Sequence, residues 1–511
     1  MEERKFYITT AIDYVNSNPH LGTAYEKISA DVIARYKTLC GFRTRFLMGN
    51  DEHSHNVERR ARELDMSPLD YCDRMAEEFE KTWAALNVQY NDFIRTTEAR
   101  HIATVQDVLM RIRERGDIYK DSYSGWYCLS CERFYKDKEL VEGRCPTHEI
   151  EPKWIEEENY FFALSKYRDP LLRLLEERPE FVLPETRRNE ILGILDQGLE
   201  DVSISRSTTS WGIPLPFDPQ HVVYVWVDAL INYLSGIGYS TNPKRFGKYW
   251  PADLHVIGKD ITRFHCIIWP ALLMSAGIEL PVAVFGHGFV NVEGMKLSKT
   301  KGTALGPLEL VAKYGPDPIR YFLVREIPFG KDGDFSAERF EERYNADLAN
   351  GLGNLFSRVL TMVEKYAGGT VEAPSSMHEG AALARVATDV LKSYRGAMDA
   401  YDLSGGIAEV WKLIRASDGY VEENAPWDLA KSNTKSSREK LCSVLYHLVE
   451  SLRHIAILVS PVMPEKSKTM WEHLNAPGTL QEARLSDLRK WGGYPSDQKI
   501  KKSPSLFPRL S

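Results

Sequence analysis

A chain of 511 residues with 43% hydrophobic and 27% charged side chains is long enough for about three domains and a large buried core. Its net charge of −7 excludes a general pull towards nucleic acid, so an RNA partner has to be met by local basic patches. No run approaches the roughly 18 to 20 apolar residues of a membrane helix. No apolar stretch follows "MEERKF", and seven cysteines without a signal peptide argue against a disulfide framework and for the cytoplasm.

Residues 1–117 alternate strand and helix patterns. "KFYITTAI" (Lys5 to Ile12) is rich in β-branched and aromatic residues and predicts a strand. Ala24, Ile28, Val32 and Tyr36 recur at helical spacing and predict a helix from Ala24 to about Leu39. "RTRFLMGND" reads as a second strand and Val57 to Asn87 as a further helix, which is βαβ logic. Residues 118–220 are aromatic, Cys-containing and turn-rich, the character of an insertion. From 221, "HVVYVWVDA", "LHVIGKD" and "PVAVFGHGFV" return as strand-like runs, with the helical "RFHCIIWPALLMSAG" between the last two. The expected class is α/β: one parallel sheet split by an insertion, with 1–117 and 221–292 as its halves. Residues 293–344 carry a lysine loop and the region after it. From 345 to 490, helical patterns separated by Gly, Pro or Ser predict an all-α bundle. Residues 491–511 are too polar for the bundle and read as a tail whose "LFPRL" docks back on the body.

Three segments carry chemistry. "YVNSNPHLGTAYE" (Tyr14 to Glu26) is a strand, a tight polar turn and a helix start, a place to hold phosphate against helix N–H groups. Taken alone it reads first as a plain β–α connection with a surface histidine. No G-x-G-x-x-G follows a strand and no G-x-x-x-x-G-K-[ST] occurs, so a dehydrogenase or P-loop enzyme has no support. "EGMKLSKTKG" (Glu293 to Gly302) sets Lys296, Ser298 and Lys299 in a polar loop. Such lysines neutralise charge on a polyphosphate leaving group, although an isolated instance also reads as a solvated loop. Cys128-x2-Cys131-x13-Cys145-x2-His148 gives the four N/S donors of a tetrahedral structural zinc, with no open position for catalysis. Core thiols are its other reading; Cys40, Cys72, Cys266 and Cys442 read as buried thiols.

"HLGT" and, about 275 residues later, "KLSKT" resemble the HIGH and KMSKS signatures of class I aminoacyl-tRNA synthetases, in that order and ahead of a helical bundle. "FIRTTEARH", "WYCLSCERFY", "YVWVDALINY", "VIGKDITRFH" and "NAPWDLAK" are similar to the methionyl-tRNA synthetases, over residue 5 to about 470. The resemblance implies a split Rossmann-like catalytic domain with a zinc-knuckle insertion, then an anticodon-binding bundle. It implies attack of the methionine carboxylate on the α-phosphorus of ATP, then transfer of methionine to the 3′ end of tRNA.

The resemblance also assigns residues. His20, Gly22, Thr23, Asp260, Lys296 and Lys299 would bind ATP with Mg²⁺, and His20, Lys296 and Lys299 would be catalytic, with Asp260 on the ribose. Ile12, Tyr14, Trp226, Ala229, Leu230, Tyr233 and His265 would surround the methionine side chain, and Asp51 would take its ammonium. Asn354 and Arg358, four apart on one helix face, and Trp427 would read the CAU anticodon. Cys128, Cys131, Cys145 and His148 would hold one structural zinc. A monomer is expected, since the chain ends without the appended tRNA-binding domain of some relatives. Two departures stand out: Leu297 replaces Met, and Thr23 replaces the second His of HIGH, which bears on ATP affinity. An idle RNA-binding relative would be expected to lose His20 or Lys299, and both are present. A synthetase for another aliphatic amino acid is disfavoured by the aromatic pocket set and the lack of a large editing insertion. A zinc-dependent nucleic-acid binder leaves the α/β domain unexplained.

Overall fold

The computed structural model describes residues 4–128, 133–146, 149–207, 209–292, 295–296, 306–432, 434–501 and 504–510. The first half runs β1 (Lys5–Thr10), β2 (Asp13–Tyr14), α1 (Leu21–Leu39), β3 (Arg43–Asp51), α2 (His55–Glu63), α3 (Pro68–Ala85), β4 (Asp92–Arg95) and α4 (Ala99–Glu114). The helix expected over Val57 to Asn87 is two helices. Asp65 takes a left-handed φ of 55°, and Ser67 with Pro68 starts the second, the Ser hydroxyl accepting from the Asp70 N–H.

One seven-stranded parallel sheet joins the two halves. β2 and β4 flank β3, which pairs β1; next come Leu254–Gly258, Val284–His287 and, at the edge, Val182–Leu183. The register Ile8↔Leu254, Thr9↔His255 and Thr10↔Val256 is where the halves meet. The edge strand comes from within 118–220, so that span contributes to the main sheet as well as forming structure of its own. Its own part is a ribbon of β5 (Ile118–Cys128), β6 (Arg133–Tyr135) and β7 (Lys153–Phe162).

"HVVYVWVDA" does not form a strand of the parallel sheet. Asp218–Val223 lies in a separate antiparallel sheet, and Val225–Leu230 is helical. The reason is periodicity: Trp226, Ala229, Leu230 and Tyr233 share a helical face, a signal hidden under the β-branched run before it.

After the lysine loop, Pro316–Glu326 packs on both domains through Arg320. This fully buried guanidinium donates to Asp31 at 2.6 Å and to the carbonyls of Pro461 and Val462. Asn354–Ala367, Ala381–Asp399, Leu403–Asn424, Lys435–Val459 and Pro464–His473 form the bundle. By length and composition Lys435–Val459 is apolar enough to cross a membrane, which corrects the expectation that no stretch is; 94% of its apolar window is buried inside the bundle, where it is the central core helix. The tail docks as expected. Leu506 and Phe507 are buried, and Leu510 exchanges hydrogen bonds with the Asn345 side chain.

Candidate active site

At the carboxyl ends of the parallel strands lies a cavity of about 580 Å³, the usual place for a ligand in an open α/β sheet. Its walls bring together Ile12, Tyr14, His20, Gly22, Thr23, Asp51, Trp226, Ala229, Leu230, Tyr233, Asp260 and His265, residues spread over some 250 positions. The backbone of Lys296 lies in the short strand Met295–Lys296, opposite Asn291; Lys299 lies outside the described residues.

His20 caps α1. Its Nδ1 accepts from the Gly22 and Thr23 N–H groups at 3.1 and 3.2 Å, so its proton sits on Nε2. Thr23 Oγ1 closes the box, accepting from the His20 N–H at 3.0 Å and donating to the His20 carbonyl at 2.8 Å. Two helix N–H groups expected to face a phosphate are therefore taken by His20 Nδ1, which leaves the ring proton on Nε2. The helix starts at Leu21, three residues before the expected Ala24, because histidine is not among the usual caps and hid the boundary.

The side-chain end of the cavity is aromatic. Trp226 stacks on Phe264 with centroids 4.0 Å apart, and Tyr14 meets Trp226 edge-on at 5.7 Å. The Tyr233 hydroxyl lies 2.7 Å from His265 Nε2, and His265 Nδ1 lies 3.1 Å from the Ile261 carbonyl. A carbonyl only accepts, so Nδ1 carries the proton and Nε2 accepts from Tyr233. Burial pushes His265 down from 6.5 to about 4, which keeps it neutral. A depressed histidine contributes stability that is full above its unfolded pKa and is lost as pH falls through 6.5 towards about 4. The methionine KM is therefore expected to be insensitive to this ring between about pH 5 and 8, and to rise below that range. Pyrophosphate exchange followed across pH checks it; an inflection at an ordinary histidine pKa would show the ring is not held neutral.

Asp51 ends β3 opposite Tyr14 and is 2% exposed. Asp260 follows the strand Leu254–Gly258 at the surface, where a Cβ on Gly258 would stand 2.6 Å from Asp260 Oδ1. Glycine there lets the carboxylate fold back over the turn.

Beneath the cavity lie groups the sequence did not single out. Lys27 is fully buried, its Nζ 2.7 Å from Glu26 Oε1, 2.7 Å from the Ala11 carbonyl and 3.1 Å from Asp13 Oδ2. Glu26 Oε2 lies 3.0 Å from His287 Nε2. Burial alone would raise the Glu26 carboxyl, but Lys27 and His287 outweigh it and hold it below the usual range. Asp228, also buried, binds His53 at 2.8 Å and His101 at 2.6 Å, fixing the Val225–Leu230 helix to the connection after β3 and to α4. Phe264 sits beside His265 in "RFH", and its neighbour was the one signal available.

Elsewhere, Cys128 and Cys145 are buried together around Tyr135, whose hydroxyl is 3.5 Å from Cys145 Sγ. Cys131 and His148 lie outside the described residues, and among the described residues no group of three or more His, Cys, Asp or Glu is arranged for a metal. In the bundle, the Arg358 guanidinium lies 5.5 Å from the Trp427 ring centroid and donates to Glu422 at 2.6 Å; Asn354 is exposed one turn earlier.

Comparison with known proteins agrees in extent as well as kind. Residues 6–152 and 148–360 match the family model "tRNA synthetases class I (M)", and 371–490 match "Anticodon binding domain of methionyl tRNA ligase". The chain is 47% identical to the Methionine--tRNA ligase of Caldanaerobacter subterraneus over 99% of its length and 79% of the relative's. It is 45% identical to that of Thermotoga maritima over 99% and 80%. The Mycobacterium tuberculosis methionyl-tRNA synthetase in complex with methionyl-adenylate superposes with a TM-score of 0.94 at 41% identity, covering 99% of this chain and 100% of that one. The chain belongs to the methionyl-tRNA synthetase family of class I tRNA synthetases.

Proposed function

We infer that this protein is a methionine--tRNA ligase, which activates L-methionine with ATP and transfers it to the 3′ end of methionine tRNA. The observation that carries the reading is the single cavity in which the His20 cap, Asp51, Asp260 and the Trp226–Phe264–Tyr233–His265 wall converge. Shape alone separates aliphatic side chains by only about 1–3 kcal/mol per methylene, so the aromatic wall has a second task. Sulfur–aromatic contacts add about 0.3–1.5 kcal/mol and favour the thioether.

In this reading Asp51 takes the ammonium and Asp260 the ribose. His20 Nε2–H donates to the phosphates, and Lys296 and Lys299 neutralise the departing pyrophosphate, with Mg²⁺ accompanying the nucleotide. These groups move no covalent bond of their own; they orient the carboxylate and stabilise charge. Asn354, Arg358 and Trp427 read the CAU anticodon. The reading takes the protein as a monomer acting in the cytoplasm.

Pyrophosphate exchange with methionine, leucine, isoleucine and homocysteine tests the reading: methionine is expected to lead, and an enzyme preferring leucine or isoleucine would overturn it.

Cys128, Cys131, Cys145 and His148 are assigned one structural zinc. Among the described residues the knuckle's buried cluster is Cys128, Tyr135 and Cys145, a small core for a fold, and the thiolate-rich donor set suits zinc. One zinc per chain is expected by elemental analysis, and Cys131→Ala or His148→Ala should release it and loosen the insertion. Pure protein without zinc, or mutants that charge tRNA fully, would remove the assignment.

A further inference from the structure

The β5–β6–β7 ribbon carries an aromatic row that the activation chemistry does not use. Trp126 is directly opposite Tyr135 on β6 and directly opposite Trp154 on β7. Residues directly opposite in antiparallel strands point to the same face, so the three rings form one file at strand spacings of about 4.8 Å. At one end Tyr135 is buried and lines the active-site cavity. In the middle Trp126 is fixed by its Nε1–H donating to Asp137 at 2.7 Å, and its ring meets Trp154 at 5.3 Å and 80°. At the outer end Trp154 is 55% exposed, and among the described residues no other tryptophan is an exposed one.

A tryptophan left this open loses the burial that usually justifies its size. We propose that Trp154 is the outer stacking platform for the unpaired 3′ nucleotides of the tRNA as they enter the cavity past Trp126 and Tyr135. The inference rests on the ligase reading, which requires a single-stranded RNA end to reach this cavity. Glu156 and Glu158 follow Trp154 on the same face of β7 and are exposed. Glu158 is paired with Lys120 at 2.6 Å, so the group nearest Trp154 along the strand face is the Glu156 carboxylate, which disfavours a phosphate there. A contact there is therefore made with a base rather than with the backbone. Single-stranded RNA is held in this way on aromatic side chains, whatever the base.

The test measures pyrophosphate exchange and tRNA charging for Trp154→Ala, Trp154→Leu and Trp154→Phe. Exchange uses no tRNA and is expected to stay normal in all three. Charging should fall about tenfold in kcat/KM for Trp154→Ala and Trp154→Leu, and remain near normal for Trp154→Phe, which keeps a ring face. Binding of tRNA lacking its unpaired 3′ nucleotides should not distinguish the variants. Normal charging by Trp154→Leu would reduce the residue to apolar packing. An equal loss on truncated tRNA, or a changed sedimentation coefficient, would move the contact to another part of the tRNA or to a second protein. Each of these results overturns the proposal. Failure of the unmutated protein to exchange with methionine would instead overturn the ligase reading itself.

Discussion

His20→Ala and Lys299→Ala are each expected to lower the kcat of methionine activation about 100-fold or more, by the usual loss when a preorganised charge-stabilising donor is removed. The effect is expected in kcat, with little change in KM for methionine, because in the proposed mechanism both groups act on charge that grows in the transition state. His20 has a second task that has to be separated from the first. Its Nδ1 caps α1, so alanine there also removes a helix cap worth about 1 kcal/mol. His20→Ser keeps a capping oxygen but is too short to reach a phosphate. It should melt like the parent and still be slow. A serine variant with normal kcat would show that His20 is a cap and nothing more, and a raised methionine KM at equal kcat would count against both residues as transition-state donors.

Thr23 takes on a clearer role beside this. Its hydroxyl is engaged with the His20 backbone in both directions, so it holds the histidine in place. Restoring histidine at Thr23 is expected to lower the KM for ATP, and an unchanged value would show that the threonine replaces it fully.

The second large effect is expected in the bundle. Trp427→Ala should weaken tRNA charging about ten- to a hundredfold, since stacking contributes about 1–3 kcal/mol per base, while pyrophosphate exchange stays near normal. The structure leaves Trp427 half-buried at the start of the short helix Pro426–Leu429, with one side against the core and Arg358 close to its ring. Arg358 is held to Glu422, so a base stacking on Trp427 meets a guanidinium already fixed in place. A variant that loses both activities alike, or a melt showing the bundle has come apart, would return Trp427 to a packing role.

The sequence alone determined what depends on neighbours along the chain. β1 and β3, α1 and the successive bundle helices are written in local periodicity, whereas the helix Val225–Leu230 lies hidden under the strand-like run before it. The His20 and Lys299 signatures are likewise local strings, and the family resemblance rests on them without any tertiary contact. Tertiary structure alone decided the groups whose meaning is a distant partner. Glu26 and Lys27 read as an ordinary charged pair on a helix, yet both are buried, because Asp13 and His287, the latter 261 residues away, compensate their charge. Asp228 is buried because His101, 127 residues earlier, and His53 meet its carboxylate. The edge strand Val182–Leu183 is too short for any periodic signal and exists only because Val284–His287 offers a free ladder. Local propensity is a property of consecutive residues. Compensation of a buried charge and completion of a sheet edge are properties of the assembled chain, and these set the electrostatics beneath the cavity.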